Sequence, residues 1–202
     1  MGLMGRRIVG LLGEGINEVI ATTMNNAAPM GIINRGGELR MMLWKGSHTA
    51  RNVENDGWLV ANFIHDPMIW VRTAFEDIEL DYFIEIVVNG TTMHRLRNCE
   101  AWIAFETKVE RSASERLLVR LTPLAEKILS STPRPVNRGF NSVIEATVHA
   151  TRYIRTKDPT LKVLIEHHLS IVRRCGGEQE LDAMKCIISF LGRIEEEARE
   201  RV

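Results

Sequence analysis

Over the first two-thirds of the chain apolar residues come in short runs. Over the last third they recur every three to four residues. Ile16–Thr23 is apolar and β-branched, interrupted by Glu18. Ala27–Ile33 and Glu38–Trp44 follow, separated by Asn34-Arg35-Gly36-Gly37, and two short strands around a glycine turn predict a hairpin. Trp58–Ile64 is a near-continuous apolar run, the pattern of a buried strand. Phe83–Val88, Cys99–Val109 and Arg116–Leu121 are further strands, with Glu110–Ser114 as a polar turn between the last two. Two short helices interrupt the β region. One starts near Ser47 and stops before Gly57; the other has Asp66 as N-cap and Pro67 at its first position.

Ser130–Asn137, with Pro133 and Pro135, reads as a linker that ends the β region. Beyond it three amphipathic helices are expected. The first carries Phe140, Val143, Ile144, Thr147, Val148 and Ile154 behind an Asn137 N-cap. The second carries Leu161, Leu164, Ile165, His168 and Val172 and ends at Cys175-Gly176-Gly177. The third carries Leu181, Met184, Ile187, Ile188, Leu191, Ile194 and Ala198. The fold class is therefore α+β, with a β domain over residues 1–132 and a helical segment over 133–202.

Composition narrows the function more than the fold. Of 202 residues, 45% are hydrophobic and 26% charged, enough for an ordinary core. Lys+Arg and Asp+Glu each total 26, which argues against a nucleic-acid partner, whose footprint is a basic excess. No apolar run approaches the ~18 residues of a membrane span. Met1–Leu12, with Arg6 and Arg7, is too short and glycine-broken for a signal peptide. Cys99, Cys175 and Cys186 are odd in number and lack CxxC spacing, so reduced, mostly buried thiols and a cytoplasmic location are expected, with no metal site.

The informative stretch is Lys45-Gly46-Ser47-His48-Thr49-Ala50-Arg51-Asn52, between a predicted strand and a predicted helix. A helix N-terminus presents N–H groups and a positive dipole end, which suits a phosphate. Ser47 and Thr49 add hydroxyls, Gly46 lets the backbone come close, and Asn52 can brace the loop or reach a ligand. Lys45 or Arg51 can supply the counter-charge. An ordinary serine-capped turn fits the same residues. The second stretch, Thr22-Thr23-Met24-Asn25-Asn26-Ala27-Ala28-Pro29-Met30-Gly31, places small residues on a strand, leaving room for a flat ligand; a tight turn into a strand is the plain alternative.

In order, a Thr-rich strand end, Asn-Ala-Ala-Pro-Met-Gly, a hairpin, Gly-Ser-His-Thr-x-x-Asn and the strand Trp58–Asn62 resemble the flavin reductase-like family of FMN-binding split β-barrels. The whole chain, including Asn137-Arg138, Glu145-Ala146 and Thr151-Arg152, is similar to an uncharacterised, mostly archaeal branch of that family. The resemblance implies a split barrel with C-terminal helices. It implies an FMN phosphate held by Ser47, the His48 amide, Thr49 and Asn52, with the isoalloxazine against Asn26, Ala27, Ala28, Pro29 and Gly31. It also implies a homodimer with FMN at the interface and an oxidoreductase that takes electrons from NAD(P)H or another donor. A non-enzymatic FMN carrier, a reductase of a pterin-like C1-pathway intermediate, and a protein-interaction module are the alternatives. No nicotinamide site and no catalytic residue can be mapped from the motifs.

Other features have plainer readings. Gly10-Leu11-Leu12-Gly13-Glu14-Gly15 lacks the strand and lysine of a nucleotide loop and reads as a flexible lead into the barrel. His167 and His168 are adjacent and point to different helix faces, which disfavours a shared metal. His65-Asp66 serves as a cap, Arg193–Glu200 as a solvated face, and Trp44, Trp58, Trp70 and Trp102 as core.

Overall fold

β1 (Gly15–Thr23) and β2 (Asn26–Arg35) pair antiparallel along their full length across the two-residue loop Met24-Asn25. Met24 holds φ 48°, a left-handed conformation that costs a non-glycine residue energy. β2 turns into β3 (Glu38–Trp44) through Gly36-Gly37, both at positive φ, the geometry that a two-residue hairpin favours. α1 (His48–Asp56) follows, then β4 (Trp58–Phe63) and α2 (Pro67–Phe75). A hairpin of β5 (Phe83–Val88) and β6 (Thr91–Leu96) precedes the long strands β7 (Ala101–Ser112) and β8 (Arg116–Ile128). Six strands close a barrel in the order β1-β2-β3-β8-β7-β4, sealed by β1 against β4, while β5 and β6 form a separate two-stranded sheet.

This computed structural model describes residues 10–200, so most of the Met1–Leu12 segment lies outside the described residues. The chain divides into two units. Among the described residues, one holds 10–64 with 78–131, and the other holds 65–77 with 132–200.

The barrel interior is filled by alternate residues of its strands: Val19, Ala21, Ile32, Met41, Leu43, Leu59, Ala61, Ile103, Phe105, Leu117 and Val119, joined by Ala50 and Val53 of α1. β6 is absent from the sequence expectations, and β8 runs seven residues beyond the expected end at Leu121. β7 likewise runs on to Ser112, into the expected Glu110–Ser114 turn. The Gly10–Gly15 lead, expected to be flexible, is tied down: Asn17 Nδ2 donates to Gly13 O (2.8 Å) and Asn34 Nδ2 to the same oxygen (3.1 Å).

The helical unit contains α2, α3 (Arg138–Thr156), α4 (Pro159–Cys175) and α5 (Glu178–Glu200). α2, expected within the β region, groups here because its Val71 joins the helical core of Val143, Ala146, Ala150, Ile165, Val172, Ala183, Met184 and Ile187. Its start is as expected, with Asp66 accepting from the Met68 and Ile69 amides and Pro67 first in the helix. His65 stacks on Phe140 at 4.0 Å, so the cap at this strand end belongs to Asp66 alone. Asn137 caps α3 through the Gly139 and Phe140 amides. Leu164 and Ile188, expected on buried stripes, are 40% and 47% exposed, because each lies at the margin of its helix's apolar face. Gly176 ends α4 without the left-handed turn usual for a terminal glycine; it sits at φ −88°, ψ 164°. Among the described residues no helix is long and apolar enough to cross a membrane.

Candidate functional site

The two informative stretches meet at one end of the barrel. Asn26, first in β2, donates from Nδ2 to Thr49 Oγ1 at 2.9 Å. Asn52, one turn into α1, donates from Nδ2 to Thr23 O (3.2 Å) and Thr23 Oγ1 (3.1 Å). The helix start is thereby bonded to the β1–β2 loop from both sides.

The local sequence explains why the helix begins where it does. Gly46 at φ 83° turns the chain out of β3, and a Cβ there would meet nothing within 4 Å. That conformation suits glycine, and the space above the backbone is open. Ser47 is the N-cap: its Oγ accepts from Ala50 N (3.1 Å) and donates to Trp44 O (2.8 Å). Lys45 N donates to Glu115 O (2.9 Å), anchoring the turn to the start of β8. Lys45, His48 and Arg51 are exposed, whereas Thr49 is 1% exposed. A helix start with two exposed cations beside it is chemically suited to an anion.

The small-residue strand is open on one edge. β1 covers β2 throughout, but the ladder to β3 spans only Ile32–Arg35. Over residues 26–31 β2 therefore has a strand on one side only, and a free strand edge offers N–H and C=O groups to whatever lies against it. Alternation divides the expected wall. Met30 packs on the barrel core with Ile32, so Asn26 and Ala28 share the inner face, and Ala27, Pro29 and Gly31 share the outer one. Gly31 is not a bare position, because a Cβ there would lie 2.8 Å from Ile16 Cγ2. A larger residue at 31 would displace Ile16 before reaching any ligand.

Thr49 and Asn52 both hold the loop, each through one identified hydrogen bond set. Thr49→Ala is therefore expected to leave the half-buried Asn26 amide without its acceptor. The cost is about 1–3 kcal/mol, or several degrees in the melting temperature of the flavin-free protein at about 2–4 °C per kcal/mol. Thr49→Ser should restore most of it. Thermal melts of the two variants decide this, and an unchanged melting temperature in Thr49→Ala would remove the structural role.

A polar centre that the motifs did not reveal lies under the same strands. Asn62, fully buried in the apolar run of β4, donates from Nδ2 to Ile20 O (2.9 Å) and Thr22 Oγ1 (3.0 Å), and its Oδ1 accepts from Leu96 N (2.7 Å). Thr22 in turn donates to His94 O at 2.5 Å. These bonds lock β1 to β4 and β6 and fix the strand whose loop meets α1. Only a polar residue inside the run Trp58–Phe63 hinted at them.

Two other expectations change. Trp58, Trp70 and Trp102 are buried, but Trp44 is 36% exposed, with the Arg116 guanidinium 4.2 Å from its ring centroid. Only Cys99 is buried; Cys186 is partly covered and Cys175 exposed, since the latter two lie on helices with one face to solvent. Burial pushes the Cys99 thiol up despite the opposing charge of Arg95, and burial likewise raises Cys186, which disfavours the reactive thiolate in both.

Comparison with known proteins agrees with this architecture. The family model described as the N-terminal domain of a protein of unknown function (DUF447) matches residues 17–130, and its companion DUF447 model matches residues 137–189. The crystal structure of an FMN-bound protein, MM1853 from Methanosarcina mazei, is 38% identical, covers 88% of this chain and 96% of its own, and superposes with a TM-score of 0.84. The uncharacterized protein MJ1453 of Methanocaldococcus jannaschii is 25% identical over 178 residues, which is 81% of this chain and 92% of that protein. The fold, a closed six-stranded antiparallel barrel with C-terminal helices, is the one this chain shares with that FMN-bound protein.

Proposed function

This chain belongs to the DUF447 family, and from that premise we propose that it binds FMN without a covalent bond and acts as an oxidoreductase of the flavin reductase-like class. The observation that carries the reading is the pair of side-chain bridges, Asn26 to Thr49 and Asn52 to Thr23, which bring a helix start suited to an anion against an open strand edge. The FMN-bound relative of 38% identity supports the same cofactor.

Ser47, the His48 amide and Thr49 would hold the phosphate, with Lys45 or Arg51 as counter-charge. Gly46 leaves the backbone open to it. Asn52 and Asn26 position the turn from behind. Ala27, Pro29 and Gly31 would face the ring from the outer side of β2, and the strand's free edge between residues 26 and 31 would address the ring's polar atoms. Asn26 and Ala28 would contribute through the backbone, because their side chains take the inner face. Bound FMN supplies the electron or hydride chemistry, and the protein supplies orientation and electrostatics.

A homodimer with the cofactor at the interface belongs to this proposal. Ile16, 67% exposed beside Gly31, and Met24, 45% exposed at the loop, are apolar side chains that a second copy would cover. Sedimentation at twice 23.0 kDa is the expected result.

The deciding experiment is the visible spectrum of the purified protein, after reconstitution with FMN if it emerges colourless, followed by NADH and NADPH oxidation assays. Flavin absorbance with turnover supports the oxidoreductase, and flavin absorbance without turnover leaves an FMN carrier. A chain that cannot be loaded with FMN would fit a protein-interaction module instead.

A further inference from the structure

The helical unit carries a group of metal-ligating side chains unrelated to the flavin reading. Glu145 and His149 lie one turn apart on α3, a spacing that puts both on one helix face. His168 on α4 meets them, its ring stacked on that of His149 with centroids 5.4 Å apart. One ligand atom from each of the three residues falls within 4.8 Å of the other two. Ligand atoms around a tetrahedral zinc ion stand about 3.3 Å apart, given zinc–nitrogen distances near 2.0–2.1 Å. Small rotamer changes in two half-buried imidazoles and one exposed carboxylate cover the difference.

A second observation points the same way. The Nδ1 atoms of His149 and His168 are both buried and have no hydrogen-bond partner within the protein. A buried nitrogen left without a partner is costly, and a ligand that accepts its lone pair removes that cost. The surroundings favour a cation at the site. Glu145 lies with both imidazoles and supplies a negative charge beside them. Arg152 and His167 are the other charged or titratable groups that act on the pair.

We propose that Glu145, His149 and His168 form a binding site for a borderline divalent cation of the zinc type, clamping α3 to α4. Two imidazoles and one carboxylate suit zinc, cobalt or nickel better than calcium or magnesium, which require oxygen ligands. Three protein ligands leave further coordination positions for water or a small anion. The neighbouring His167 is exposed and meets His168 edge-on with ring centroids 5.6 Å apart, but it is not among the grouped ligand atoms, so the pairing runs between helices and not along one.

The test is titration of the purified, tag-free full chain with Co2+, read by its visible d–d absorption, and with Zn2+ by competition against a chromophoric chelator. The expected result is one equivalent of either metal per chain, with the intense d–d bands of a four-coordinate cobalt site. His149→Ala and His168→Ala should each weaken binding at least tenfold, and Glu145→Gln, an exposed change that spares the core, should weaken it in the same direction. His167→Ala should bind like the parent. Circular dichroism establishes that each variant is folded, and Glu145→Gln keeps the test decisive if a histidine variant is not. Absence of bound cobalt at tenfold excess, or unchanged affinity in the folded variants of all three ligands, overturns the site. Loss of binding in His167→Ala alone overturns the ligand assignment.

Discussion

FMN is expected to bind this chain at least a hundredfold more tightly than riboflavin. The two ligands differ only in the phosphate, so the ratio isolates what the helix start contributes. At that start Ala50 N is taken by Ser47 Oγ and Arg51 N by Ser47 O, and the amides of His48 and Thr49 lie at the outer end of the same turn. The backbone before them turns away through Gly46, with no atom within 4 Å of where a Cβ would stand. A phosphate oxygen placed there accepts charge-assisted hydrogen bonds worth about 1.5–3 kcal/mol each. Two such bonds give about 3–6 kcal/mol, and each 1.4 kcal/mol is a factor of ten in affinity. Lys45 and Arg51 add a screened contribution that should fade as salt is raised. Isothermal titration with both ligands at two ionic strengths measures the ratio and its salt dependence. Equal affinities would show that the turn at Ser47 is an ordinary capped helix start and that the phosphate, if bound, sits elsewhere.

The half of the site that was legible in the sequence was legible because its signals are local. Ser47 as a cap, Gly46 before it, Gly36-Gly37 as a hairpin turn and Asp66-Pro67 as a helix start each depend on neighbours within three residues, and the structure has each in that role. β6 could also have been found: Asn89-Gly90, at φ 50° and 82°, is a strong two-residue hairpin signal. It was obscured by the polar composition of Thr91–Leu96, of which only Met93 and Leu96 are buried. The end of β8 was hidden by Pro123, which argues against a strand interior. The structure accommodates it with a bulge, since Phe105 pairs with Pro123 and Ala104 with Ala125, leaving Leu124 as the extra residue. Beyond local reach were the bonds that assemble the site. Asn26 to Thr49, Asn52 to Thr23 and Asn62 to Ile20 join residues 23, 29 and 42 positions apart, and no periodicity announces such partners. His149 and His168 belong to the same class, brought together by the packing of α3 on α4.

Gly139→Val is expected to destabilise the helical unit by about 3 kcal/mol or more, at the upper end of overpacking costs. The reason lies in Gly139 and in Gly176, the latter presented by the sequence as a helix end. Gly139 is in the first turn of α3, and a Cβ built on it would lie 2.4 Å from Gly176 Cα and 2.7 Å from Gly176 N. Those are backbone atoms, which cannot rotate aside as a side chain can. Gly176 is equally confined, because its own Cβ would meet Val172 O at 2.9 Å and Glu180 Cβ at 3.0 Å. Its extended φ of −88° is open to any residue, so the glycine is required there for closeness and not for handedness. Glu180, buried between the two, fastens the contact: Asn137 Nδ2 donates to one carboxylate oxygen (3.2 Å) and Gly177 N to the other (2.8 Å). Adding a side chain at 139 therefore forces the start of α3 away from the α4–α5 turn and loosens the Asn137 cap together with the Glu180 bridge. At about 2–4 °C per kcal/mol for a chain of this size the melting temperature should fall by roughly 6–12 °C. Gly192→Ala on α5, where a Cβ meets nothing within 4 Å, is the control and should be neutral or slightly stabilising. Thermal melts followed at 222 nm compare the two. A Gly139→Val protein that melts with the parent would mean that the glycine contact is looser in solution than its backbone spacing requires.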